Sequence, residues 1–103
     1  MPFKDQDNPR LLTPKEPGDR GPVEFIFDDP ALVVSEVTAV ASVQEGKDSN
    51  PAAVIGGTSF SANSATVLVQ NGVHGVVYKI KATITLTDGT RRVCTVLLPV
   101  VSL

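Results

Sequence analysis

Val76-Val77-Tyr78-Lys79-Ile80-Lys81-Ala82-Thr83-Ile84-Thr85-Leu86-Thr87 alternates without a break. Val76, Tyr78, Ile80, Ala82, Ile84 and Leu86 fall on one side, and Val77, Lys79, Lys81, Thr83, Thr85 and Thr87 on the other. Side chains of a strand point to opposite faces at every step, so one face lies on a core and the other meets water. Asp88-Gly89 follows, the residue pair that favours a two-residue type I′ hairpin because both central positions there need positive φ. Pairing Thr87 with Thr90 across that turn sets Ile84 opposite Val93 and Ile80 opposite Leu97, apolar against apolar. The same register sets Thr83 against Cys94, Lys81 against Val96 and Lys79 against Leu98. That outer face is half apolar and reads as a docking surface for another chain unless a loop or arm covers it.

Upstream, Val23 to Phe27 reads as a strand ended by Asp28-Asp29-Pro30. Val33 to Val43 alternates with Val33, Ser35, Val37, Ala39, Ala41 and Val43 on one face. Gly46 to Pro51 is a loop by composition, and Ala52 to Ile55 a short strand ended by Gly56-Gly57. Thr58 to Ser61 and Thr66 to Gln70 flank a polar turn. About seven short strands with frequent turns predict an all-β fold, an antiparallel sandwich of immunoglobulin or fibronectin-III kind over residues 23–103, with a barrel as the alternative. Tyr78 sharpens the reading. It lies just after a Gly-rich turn and two residues before the inward Ile80, the place of a tyrosine whose hydroxyl bonds a nearby backbone group in Greek-key sandwiches.

Residues 1–22 differ in kind. They hold Pro2, Pro9, Pro14, Pro17 and Pro22, five of the eight prolines in the chain, and eight charged residues that sum to zero. Proline removes a backbone donor and fixes φ, so the segment is expected to be an extended arm that adds no regular ladder to the domain. Phe3, Leu11 and Leu12 are its apolar residues. The segment reads either as a solvated tail or as an arm that orders by lying on a neighbouring subunit, and these three large side chains favour the arm.

The 103 residues, 42% hydrophobic, supply one core. Nine Lys and Arg against eleven Asp and Glu give a net charge of -2, with no basic stripe of the kind nucleic acid requires. Lys79 and Lys81 interrupt the most apolar stretch, and Lys4, Asp5, Asp7 and Arg10 stand where an export signal would place an apolar block, so neither a membrane nor secretion is expected. Cys94 is the only cysteine and His74 the only histidine. No internal disulfide can form, and no zinc cluster, phosphate loop or acid, base and nucleophile set is present in the sequence, so neither enzyme activity nor a cofactor is expected.

Leu32-Val33-Val34-Ser35-Glu36-Val37-Thr38, with Tyr78 to Arg92, carries a resemblance. The chain resembles the small fibre-to-tail adaptor proteins of tailed bacteriophages over about residues 24 to 100: similar length, a tyrosine strand, a turn ending in Gly, a polar pair and a final apolar strand. The resemblance implies a virion component, assembled in the host cytoplasm and present in several copies of a symmetric assembly, that joins tail and fibre proteins. Its expected interface residues are Phe3, Leu11, Leu12, Lys79, Lys81, Cys94, Val96 and Leu98, with Tyr78, Asp88 and Gly89 structural. The other reading is an Ig-like module that binds carbohydrate or a cell surface, for which Phe60 and Phe3 are the aromatic candidates.

Overall fold

The computed structural model of the chain describes residues 10–12, 14–27 and 32–102. Among them, β-branched and alternating stretches form seven strands: β1 (Arg10–Leu11), β2 (Gly21–Ile26), β3 (Val34–Glu45), β4 (Ile55–Ser61), β5 (Ser64–Val69), β6 (Val76–Leu86) and β7 (Arg91–Val100). They make two sheets, ordered β1-β7-β6-β3 and β2-β5-β4. Every neighbouring pair is antiparallel except β1 with β7. Asp28, Asp29 and Pro30, expected to end the first strand, lie outside the described residues.

The inner face of β6 is the one its alternation predicts. Tyr78, Ile80, Ile84 and Leu86 are among the largest fully buried side chains, and burial of each contributes about 1.5–3 kcal/mol. The core has two parts. One gathers Tyr78, Ile80, Val67, Val69, Val96, Leu98 and Val100; the other, nearer the β6–β7 turn, gathers Phe27, Val34, Val37, Ala65, Ile84 and Leu86. Phe25 packs against both.

The register of β7 differs from the expected one by a single residue. Ile80 faces Val96, Ala82 faces Cys94, and Ile84 faces Arg92. The turn is the reason: Leu86 N–H donates to Thr90 O (2.9 Å) and Gly89 N–H to Leu86 O (3.0 Å), which encloses three residues, Thr87-Asp88-Gly89. Of these only Gly89 has positive φ, +89°, so the loop is a turn followed by one left-handed glycine rather than a type I′ pair. A one-residue slip flips every side chain of a strand to the other face. Val96, Leu98 and Val100 therefore point into the core, at 1%, 2% and 1% exposure. Val93, Thr95, Leu97 and Pro99 take the outer face. Arg92 is drawn to the inner side at the open end of the sandwich, where its guanidinium sits 5.6 Å from the Phe27 ring centre.

Two further elements depart from the sequence reading. Val34 and Val37 are both buried although unbroken alternation sets them on opposite faces, because the β3–β6 pairing shifts between Val34 and Glu36 and the phase changes there. The expected strand over Ala52 to Ile55 is instead a 3₁₀ turn, Pro51–Val54, and the strand after it runs from Ile55 through Gly56-Gly57 to Ser61. Pro51 accounts for this, since its fixed φ and missing N–H suit the first turn of a helix. Pro22 lies within β2, which its place at a sheet edge permits.

Candidate functional site

The described part of the arm lies on the domain itself. β1 pairs in parallel with β7, Arg10 with Val96 and Leu11 with Leu97. Leu12 N–H then donates to Leu97 O (2.9 Å), Lys15 N–H to Pro99 O (3.0 Å), and Val101 N–H to Lys15 O (2.9 Å). The expectation of an arm without a ladder is thus corrected. Its prolines interrupt the ladder instead of preventing it, because Pro9 and Pro14 bracket a stretch whose N–H groups are intact. Leu12 packs against the core and Leu11 remains 69% exposed. Phe3 lies outside the described residues.

Lys15 is the residue that sequence reasoning missed. It is 8% exposed, and its ammonium donates to the carbonyls of Glu16 (2.7 Å), Asp19 (2.9 Å) and Pro17 (3.4 Å). Three donors meet three acceptors, which is how a buried ammonium avoids an uncompensated desolvation cost. Burial lowers its pKa and the Asp19 carboxylate opposes the shift. The chain folds around it into a small turn, with Asp19 N–H on Glu16 O (3.0 Å) and Glu16 N–H on Asp19 Oδ2 (3.1 Å). Pro17-Gly18 announces a turn in the sequence, but nothing there tells that Lys15 folds into its centre. Below lies a cleft of about 320 Å³, floored by Leu12, Val23, Val69 and Leu98 and rimmed by Asp19 and Arg20.

The outer face of the four-stranded sheet holds the other predicted residues. Lys79 and Lys81 are exposed on it. Val96 and Leu98 are not, and Cys94 turns inward to pack against the core near the β6–β7 turn. The apolar character expected of this face comes from other residues: Leu11, Val40, Val93, Leu97 and Pro99, with Leu11 and Val40 at 69% and 67% exposure. A correct turn type would have found Val93 and Leu97, the β7 residues of the other parity.

Tyr78 ties together the end of the sandwich away from the β6–β7 turn. Its hydroxyl accepts the Val73 N–H (2.8 Å) and donates to Asp48 Oδ2 (2.6 Å), while Asp48 Oδ1 accepts the Asn50 N–H (2.8 Å). These bonds, Tyr78 first, hold the Asp48 carboxyl below its ordinary pKa. Burial, with the Asp48 bond second, pushes the Tyr78 phenol up. His74 is exposed, and its Nδ1 accepts the Ser102 N–H at 2.8 Å. Among the described residues no three His, Cys, Asp or Glu side chains gather as a metal site would need. No helix there is long and apolar enough to cross a membrane. What the geometry offers is surface for protein contact: a docked arm, a cleft beneath it, and a broad face with two lysines among apolar residues.

A family model described as Podophage GP4 fiber-tail adaptor protein gp77 matches residues 15–99. No curated protein and no solved structure matches the chain.

Proposed function

The chain belongs to the podophage fibre-tail adaptor family, and from that membership we propose that it joins the tail to receptor-binding fibres as one of several copies in a symmetric assembly, built in the host cytoplasm. The family match carries this reading. It begins at Lys15 and ends at Pro99, the two residues whose backbones bond where the arm meets β7. The match therefore spans the sandwich and the turn around Lys15, and β1 precedes it. The surface agrees with the role: Leu11, Val40, Val93 and Leu97 around Lys79 and Lys81 suit a protein partner that supplies apolar area and carboxylates. We assign the sandwich to the immunoglobulin-like kind on the bond from the Val73 backbone to the Tyr78 hydroxyl.

Deleting the gene should give particles with tails and without fibres, and supplying the protein in trans should restore the fibres. Deletion particles that keep their full set of fibres would contradict the assignment.

A further inference from the structure

β7 is ten residues long. Among the described residues its outer edge is paired only by β1, at Val96 and Leu97, and by the stretch around Lys15, at Pro99 and Val100. Leu97 and Pro99 turn their carbonyls toward the arm. The backbone period of a strand is two, so the odd-numbered residues of β7 present their N–H and C=O groups to this edge and the even-numbered ones present theirs to β6. The register of β1 gives the Thr95 carbonyl to the Arg10 N–H, so Arg91 and Val93 with two N–H and two C=O groups, and Thr95 with its N–H, form the half of the edge that β1 leaves uncovered. Exposed edges of this kind are usually closed by proline, a charge or a bulge. Pro99 stands on the covered half, whereas Val93-Cys94-Thr95 has neither proline nor charge and its pairing with β6 runs without a shift. The two strands nearest the edge are cationic on their outer side, and Glu36, a carboxylate of this face, stands on β3 beyond β6. Lys79, Lys81 and Arg91 project from β6 and β7, and neither strand contains a carboxylate.

We propose that an extended segment of a neighbouring virion protein, with carboxylates at alternate positions, adds to β7 as a further strand along Arg91 to Thr95. Main-chain bonds to the edge supply the attachment, and the carboxylates pair with Arg91 and Lys81. This inference rests on the adaptor reading and specifies where the partner binds. The added strand continues the sheet past the point where β1 begins, so partner and arm share one edge.

Pro99 provides the test. It occupies an outward position of β7 while the β6 ladder continues past it, so Val93→Pro and Thr95→Pro remove an outward donor and leave the bonds to β6 in place. Phage carrying Val93→Pro should retain a folded protein with a near wild-type unfolding midpoint. Its incorporation should fall about tenfold, the effect of one or two lost bonds and a steric block. Arg91→Glu should lower incorporation without disturbing the fold. In wild-type protein the Val93 and Thr95 amides should exchange rapidly in isolation and become protected in the purified particle. If Val93→Pro does not fold, Thr95→Pro, Arg91→Glu and the exchange measurement decide. Wild-type incorporation of folded edge variants would overturn the inference. So would protection of Val93 and Thr95 in the isolated protein, which would mean the chain's own preceding residues fill the edge, or continued rapid exchange in the particle. Absence of the wild-type protein from particles would instead overturn the adaptor reading itself.

Discussion

Tyr78 is fully buried, and its one hydroxyl serves both the Val73 backbone and the Asp48 carboxylate. Tyr78→Phe leaves the ring and removes both bonds, so chemical denaturation should show a loss of about 1–3 kcal/mol. The pH dependence has a definite sign. A carboxyl whose folded pKa is depressed adds stability above its unfolded value, near 4, and that stability is lost as pH falls through the folded value. Asp48 behaves so, and Asp88 does too through its bonds from the Thr90 hydroxyl and N–H. The phenol is raised, so its contribution holds below about 10 and fades as pH climbs through the folded value. Acid titration of the unfolding midpoint should therefore be shallower in Tyr78→Phe than in wild type; an unchanged slope would mean Asp48 gains nothing from the hydroxyl. Two glycines make a matched pair. Gly72 and Gly89 both have positive φ, +105° and +89°, yet a Cβ at Gly72 would lie 2.8 Å from Val100 Cγ2 while one at Gly89 meets nothing within 4 Å. Gly89→Ala should cost about 1–2 kcal/mol for backbone strain alone. Gly72→Ala should cost more, and equal costs would contradict the packing around Val100.

Among the elements, β1 and its turn carry the boldest expectation. Leu12 packs on the core, and three backbone bonds tie residues 12–15 to the end of β7. Removing residues 1–20 should lower the unfolding midpoint, with about 1–2 kcal/mol left after the entropy of ordering is offset. Lys15→Met, which keeps the stem and removes the three ammonium bonds, should reproduce much of that loss. A truncated domain as stable as the full chain would show that the arm is only laid on the surface. These elements also mark how far the sequence could be read. β6 declares itself because every residue from Val76 to Thr87 alternates. β7 declares itself as a strand, but Asp88-Gly89 suits a two-residue and a three-residue loop alike, and that choice decides whether Val96 and Leu98 face the core or the solvent. β1 is only two residues long in a four-residue stretch between Pro9 and Pro14, and its existence depends on an edge that forms when β7 folds. The same holds for Lys15, whose acceptors are backbone carbonyls that no side-chain pattern announces.

At the scale of the molecule, two sheets of four and three strands enclose the core in a body of 42 × 24 × 21 Å. Lys79 and Lys81 lie on its broad outer face, and the arm and the open half of β7 lie along one side. A body of this shape, with faces of different character, can contact two partners at once, as a joint between tail and fibre requires. The direct measurement is a cryo-electron microscopy reconstruction of the particle at a resolution that separates strands. The account predicts a two-layer body of these dimensions between tail and fibre, repeated with the symmetry of the tail, with its four-stranded sheet against a partner. Fibres that contact the tail directly, with no such body between them, would contradict it.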